Sequence, residues 1–341
     1  MQPRLGLKTA QGLGARESAD SAELKRVDVL EPSQYRRFRA VSRLVRALLG
    51  RRLVRRSYYL GYAYYWLLYL SRTLVGTSPL IIYQMGKVGS STLWRSLEPF
   101  DLGRPAFRVH ALSANRLDRM LSGVSLSPRQ YYEQRSEHNL VGRYLAREWN
   151  RARGHDRWKV ITLVRDPLAQ SVSTFFQLLD LRNPGYLDEY SSGALGIERL
   201  VELFLDQYKP YRIREGWFDA EMRKVFGLDV FEVPFDCEAG YSIYHADDAD
   251  VLLIRLEDLD RCGKTAMQEF LGVCDFAVLR NNVGAEKEYS EVYREFRARA
   301  ALPERFVREI YDSDYAKHFY SPKEREAFAA KWGIKPPQRS A

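Results

Sequence analysis

From residue 79 onward, short apolar runs alternate with longer stretches in which apolar positions recur every three or four residues. The short runs predict strands at 80–84, 106–110, 158–164 and 250–255. The longer ones predict helices over 127–153, 166–180 and 196–207. Strands separated by helices predict a parallel sheet covered on both faces. Residues 287–333 read as short helices rich in Tyr, Phe and Arg.

The pattern upstream is different. Residues 1–34 are polar, with scattered Gly and Ser and no sustained period, which predicts disorder. In "YRRFRAVSRLVRALLGRRLVRR", residues 35–56, Phe38, Val41, Val45, Leu48 and Leu49 recur at helical spacing between nine arginines. That is a basic amphipathic helix, broken at Gly50. Residues 57–70, "SYYLGYAYYWLLYL", carry no charge but fall short of the roughly 20 apolar residues a crossing needs. Their Tyr and Trp suit a segment lying in a membrane interface. A tyrosine-rich helix packed on the domain, with solvated arginines beside it, explains them as well. The chain thus divides into 1–34, a helical extension over 35–75 and an α/β domain over 76–335. No apolar stretch in the first 30 residues reads as a cleavable signal.

Charge follows the same boundary. The net charge is +9, and residues 1–60 hold 14 Lys/Arg against 5 Asp/Glu, which is already +9. The remaining chain is neutral, so a basic nucleic-acid-binding face on the folded domain is not expected. The three cysteines, Cys237, Cys262 and Cys274, form no CxxC pattern. They argue against a disulfide framework and a zinc site, and for a reducing compartment.

Two stretches carry candidate chemistry. The first is "YQMGKVGSSTL", residues 83–93, where a strand turns into a helix. Amides at a helix start are unpaired and the helix dipole is positive there, so such a turn suits an anion. Gly86 and Gly89 are expected to permit backbone angles closed to other residues. Lys87 adds a positive charge, and Ser90 and Ser91 add hydroxyls at a position where Ser caps well. The order does not match GxxxxGK[ST], so the hydroxyl that usually ligates magnesium is not in place. A phosphate-like group held without a metal is the expectation. A plain glycine turn with a surface lysine is the alternative.

The second is "RDPLAQSVSTFFQ", residues 165–177, after the strand "WKVITLV". Asp166 can cap the helix and Pro167 suits its first turn. Arg165 at the strand end and Ser173, two helical turns on, could grip one phosphate. A capped helix whose arginine pairs with a neighbouring acid is the alternative.

Together the two motifs resemble the sulfotransferase superfamily that uses 3′-phosphoadenosine 5′-phosphosulfate (PAPS). The wording of "QMGKVGSSTL", "VRDPLAQSVSTFFQ", "GWFDAEMRKVFGLDVFEVPFD" and "VLLIRLEDL" is most similar to the NKWYS-type family of bacterial capsular polysaccharide synthesis proteins. The resemblance spans roughly 79 to 333. It implies a P-loop-like sheet flanked by helices, with a helical N-terminal extension and a helical C-terminal region. It implies PAPS as co-substrate, with Lys87, Val88, Gly89, Ser90, Ser91 and Thr92 at the 5′-phosphosulfate and Arg165 and Ser173 at the 3′-phosphate. No metal is expected. The acceptor would be a hydroxyl of a glycan, capsular or lipid-linked. The location implied is cytoplasmic, with residues 35–70 offering attachment to an anionic membrane surface on its inner side.

Sulfuryl transfer needs a base. His110, in "FRVHALS" at the end of the second predicted strand, falls on the same sheet edge as Lys87 and Arg165. An imidazole, with an ordinary pKa of about 6.5, suits that task. The resemblance supports this placement, because cytosolic members carry a histidine after their second strand. Lys87 and the loop amides would stabilise the leaving phosphate. His138 is the reserve base, while His155, His245 and His318 read as structural. Arg280 and Lys287 are candidates for a late basic loop near the 3′-phosphate, and Trp217 reads as core. Two other functions stay open. One is a P-loop-type kinase or NTPase using Glu257 and Asp258 as a metal-binding strand end. The other is an inactive protein that binds a membrane surface or polysaccharide.

Overall fold

The computed structural model describes residues 78–114, 117, 137–152, 157–207, 216–279 and 289–334. The expectations for 1–34, for the extension over 35–75, and for His155, Arg280 and Lys287 lie outside these residues, as does the first part of the 127–153 helix.

Five strands form one sheet in the order β2-β1-β3-β5-β4. They are β1 (Leu80–Tyr83), β2 (Ala106–Val109), β3 (Trp158–Val164), β4 (Tyr241–His245) and β5 (Ala249–Arg255). β1 pairs in parallel with β2 (Leu80 opposite Ala106) and with β3 (Leu80 opposite Lys159). β3 pairs in parallel with β5 along its whole length, Trp158 opposite Ala249. β1 and β5 are buried at every position, the mark of parallel strands covered by helices. β2, on the edge, alternates half-buried and buried residues.

β4 departs from the expected all-parallel sheet. It runs antiparallel to β5, Tyr241 opposite Ile254, and forms the other edge. Gly240 and the Asp247-Asp248 turn bound five residues with the Tyr and Ile of a strand, too short a run to stand out among apolar segments.

Helices flank the sheet. In chain order the longer ones are α1 (Ser90–Leu97), α2 (Glu137–Ala152), α3 (Pro167–Arg182), α4 (Tyr186–Ser191) and α5 (Ile197–Gln207). A π-turn, Phe218–Arg223, leads into one α-helical turn, Lys224–Phe226. After β5 come α6 (Leu259–Leu271), α7 (Ser290–Arg299), α8 (Glu304–Tyr311), α9 (Asp314–Phe319) and α10 (Pro322–Ala330). Rings join the layers: Phe204 of α5 packs edge-on to Phe175 of α3 at 5.4 Å and to Phe296 of α7 at 5.9 Å.

Two features of this order position the site. β1, β2, β3 and β5 are parallel, so residues just past their carboxyl ends share one edge. The chain goes from β1 to one side and then returns to β3 on the other, so the crevice between β1 and β3 is the topological switch point. Ligands of open α/β sheets bind there. Both candidate motifs leave the sheet from these two strands.

Candidate functional site: an anion cradle at the carboxyl edge of the sheet

The loop after β1 is shaped by two left-handed residues. Lys87 has φ of 68° and is the only non-glycine among the described residues with positive φ. Gly89 has φ of 89°. Gly86 does not adopt a positive φ, which corrects the expectation drawn from its type. A Cβ at Gly89 would sit 2.4 Å from Leu256 Cδ1, so the loop lies against the segment after β5. Lys87 in this conformation stores local strain of the kind found at ligand clamps.

Gly89 also occupies the cap position of α1, and no side chain caps that helix. The expectation that Ser90 or Ser91 caps it is therefore corrected. The first intrahelical bonds run from Thr92 N and Leu93 N to Gly89 O, at 3.0 and 3.2 Å. The amides of Ser90 and Ser91 belong to the turn that helix geometry leaves without helical partners. Val88 is wholly buried in the core, so it can offer only its main chain to a ligand. Ser91 Oγ accepts from Arg108 Nη1 at 3.0 Å, which brings a guanidinium from β2 to the start of α1.

The second motif clasps the first. Arg165 Nη1 donates to the Lys87 carbonyl at 3.0 Å. Gln170 Nε2, on α3, donates to the Gly86 carbonyl at 2.8 Å. Asp166 caps α3, accepting from Leu168 N at 3.0 Å and Ala169 N at 3.2 Å, with Pro167 in the first turn. The backbone of Arg165 is fixed by Tyr315, whose hydroxyl lies 3.1 Å from both its N and its O. The phenol of Tyr311 donates to Asp166 Oδ1 at 2.9 Å. Burial, and then the nearby Asp166, push its pKa far up, so it remains a donor. Ser173 is half-buried on α3, two turns along from Arg165.

His110 follows β2 on the same edge. Its Nδ1 lies 3.0 Å from the Gln84 carbonyl. A carbonyl can only accept, so the neutral ring carries its proton on Nδ1 and its lone pair on Nε2. Trp217 Nε1 donates to the His110 carbonyl at 3.2 Å. Trp217 is fully buried and packs at 5.2 Å from Tyr83. Gln84 is fully buried, with neither carboxamide atom hydrogen-bonded among the described residues. His138 falls in the first turn of α2. His245 is exposed and bonds Asp250 at 2.8 Å; the main-chain carbonyl of His318 accepts from Cys237 Sγ.

Glu257 and Asp258 are engaged elsewhere. Glu257 accepts from Asp166 N at 2.8 Å and Tyr320 Oη at 3.0 Å. Asp258 pairs with Arg255 and Arg261. The cysteines are free thiols. Among the described residues no cluster of three metal-ligating side chains is found, and no helix is long and apolar enough to cross a membrane.

Further groups at this edge come from the C-terminal half: Trp217 holds His110, Glu257 holds Asp166 and Tyr315 holds Arg165. That half also carries a family signature. The NKWYS family model, described as "Putative capsular polysaccharide synthesis protein", matches residues 195–321. No curated protein and no solved structure matches the chain. The NKWYS segment begins before α5 and ends at the cap of α10. It therefore contains the π-turn, β4, β5 and Tyr315, while Lys87, His110 and Arg165 precede it. The NKWYS name points to capsular polysaccharide synthesis and hence to a biosynthetic enzyme.

Sequence reasoning missed Arg108, Gln170, Tyr315 and Glu221. Glu221 had a readable signal. It falls four residues after Trp217 and one before Met222, on the apolar face of "WFDAEMRKVF", where a carboxylate is out of place unless it is bonded.

Proposed function

We propose that the chain is a PAPS-dependent sulfotransferase of polysaccharide synthesis, with a P-loop-like nucleotide site between β1 and β3. The observation that carries this reading is the Arg165–Lys87 contact at the switch point. One cation-bearing strand end braces the backbone of the other anion loop, so the two phosphate-bearing ends of a single nucleotide would meet one continuous cradle.

The residues present suit the group. Gly89 lets the loop take a left-handed turn and pack directly against Leu256, where a side chain would clash. Left-handed Lys87 and Gly89 run into a helix start, an arrangement that would turn amides toward a bound anion, as in anion nests. The carboxamide of Gln84, fully buried at the root of the loop, has no hydrogen-bond partner among the described residues. Lys87, the main chain of Val88 and Gly89, and Ser90, Ser91 and Thr92 would surround the 5′-phosphosulfate. Arg165, which spends one of its five N–H groups on the loop, would present others to the 3′-phosphate together with Ser173.

In the transfer, Nε2 of His110 takes the proton of the acceptor hydroxyl. The acceptor oxygen forms a bond to sulfur as the bond from sulfur to the 5′-phosphate oxygen breaks. The electron pair leaves with adenosine 3′,5′-bisphosphate, whose new charge Lys87 and the loop amides stabilise. A glycan hydroxyl is the acceptor class that agrees with the family name. A cleft of about 750 Å³ lies beside the π-turn, lined by Asp219, Asp229 and Asp314 together with Arg223, Lys317, His318 and Phe231, and Arg223 pairs with both Asp219 and Asp229. Glu257 and Asp258, committed to protein partners, weigh against a kinase.

Calorimetric titration with adenosine 3′,5′-bisphosphate, without magnesium, tests the reading. Binding that Arg165→Ala weakens roughly a hundredfold is expected. Binding of ATP with magnesium, and none of the bisphosphate, overturns it.

A further inference from the structure

We infer that the π-turn Phe218–Arg223 sets the position and tautomer of His110, with Glu221 as the positioning residue. The inference rests on the role given to His110 above. It adds a device that neither the motifs nor the family name contains.

Glu221 has no solvent exposure. Its Oε2 accepts from Leu112 N and from Ser113 N, both at 2.9 Å, and from the Tyr83 hydroxyl. Its Oε1 accepts from Ser113 Oγ at 2.7 Å. Three of these four donors belong to the residues two and three places after His110. The fourth, Tyr83, ends β1 and itself accepts from Leu112 N at 3.2 Å. Removing a carboxylate from water costs several kcal/mol, and an apolar residue would fill the space without that cost. A buried carboxylate aimed at two successive main-chain N–H groups fixes the path of one turn, which packing alone would leave looser.

The same element holds His110 a second way. Trp217, immediately before the π-turn, donates to the His110 carbonyl. The turn after β2 is therefore pinned at His110 by Trp217, just before the π-turn, and at Leu112 and Ser113 by Glu221 within it, while the imidazole is pinned by the Gln84 carbonyl just after β1. If the turn shifts, Nδ1 leaves that carbonyl. The ring then loses the Nδ1 bond to Gln84 O, which favours the lone pair on Nε2. π-Turns cost stability relative to regular helix and are common at functional sites. Here the wide turn carries Glu221, and the residue that leads into it, Trp217, carries the other anchor, four residues earlier.

The test reads the tautomer directly and needs no turnover. The full chain, labelled with ¹⁵N-histidine, gives an imidazole spectrum in which His110 is identified by its loss in His110→Ala. The wild type is expected to show the Nδ1–H tautomer. Glu221→Gln keeps the volume but turns an NH₂ toward donors, and the two tautomers should mix. Transfer should fall roughly a hundredfold in kcat, the scale of a 1 Å misplacement, while affinity for adenosine 3′,5′-bisphosphate stays within about twofold. Trp217→Phe removes only the indole donor. It should move the tautomer in the same direction by less, and it serves if Glu221→Gln does not fold. A His110 signal unchanged in a folded Glu221→Gln protein, or unchanged in Trp217→Phe where that variant alone folds, overturns the inference. A shifted tautomer in a chain that transfers no sulfuryl group leaves the positioning device standing and removes the sulfotransferase.

Discussion

Arg165 Nη1 donates to the main-chain carbonyl of Lys87 at 3.0 Å, across 78 residues of sequence. The guanidinium thus has two tasks, holding the loop and meeting an anion. Arg165→Ala should weaken adenosine 3′,5′-bisphosphate binding by about 2–3 kcal/mol, roughly a hundredfold, because a charged hydrogen-bond donor is lost. Arg165→Lys keeps the charge but offers no planar fork that can reach both partners, and should lose about tenfold. Calorimetry on the three proteins measures this. Equal affinity for Arg and Lys would mean that only charge matters there.

The loop's backbone makes a separate prediction. Gly89→Ala places a methyl 2.4 Å from Leu256 Cδ1 in a left-handed residue. The conformation alone should cost about 1–2 kcal/mol, lowering Tm by several degrees in a domain of this size. Leu256→Ala in the same chain should recover the clash and not the backbone cost. At position 87, Gly and Ala both remove the ammonium, yet only Ala keeps the strained φ. Lys87→Gly should therefore be more stable than Lys87→Ala by about 1 kcal/mol, while both lose the nucleotide. Thermal unfolding of the two variants decides it; the opposite order would mean that position 87 is not strained.

Local pattern carried much of this architecture. Residues 158–164 form β3 over the span their largely apolar run predicts, and Pro167 and Asp166 start α3 as their types dictate. What local pattern could not supply was contact between distant segments. Nothing near Gly86 signals that Gln170 holds its carbonyl, and nothing near His110 signals Trp217 or Glu221. Gly86 and Ser90 show the limit of residue type as a guide: glycine permits a left-handed angle without requiring it, and serine caps only where the preceding turn leaves it the cap position. β4 was hidden because an edge strand of five residues has too little burial to mark it.

Arg255 tests how the C-terminal helices are attached. Its side chain is 2% exposed and pairs with Asp258 and, at 2.8 Å, with Glu324 of α10. It also donates to the carbonyls of Cys237 at 2.8 Å and Phe319 at 3.2 Å. Arg255→Met leaves two carboxylates and two carbonyls short of a donor in one place. The expected loss is about 3–5 kcal/mol, read as a lower urea midpoint. Hydrogen exchange should rise over α9 and α10 more than over β1. A uniform rise would show that Arg255 supports the whole domain and not these helices in particular.

Asp250, at the opposite end of the sheet, is expected to contribute to the acid limit of stability. It begins β5 beside the start of β3 and receives His245 Nδ1 at 2.8 Å, Arg157 Nη2 at 2.8 Å and Lys159 Nζ at 3.0 Å. Burial pushes its pKa up, but these three partners outweigh burial and hold the carboxyl well below the usual range. A depressed carboxylate stabilises the fold at every pH above its unfolded value of about 3.9. Below that value the unfolded chain binds the proton first, and stability falls as pH approaches the folded pKa. Arg157 is about half exposed, so water screens that arm, and the whole arrangement contributes on the order of 2 kcal/mol. Asp250→Asn should lose that amount at pH 7 and show a flatter decline below pH 4 than the wild type. Urea unfolding at pH 7, 4 and 3 on both proteins measures the two slopes; parallel curves would assign the acid sensitivity to other carboxylates.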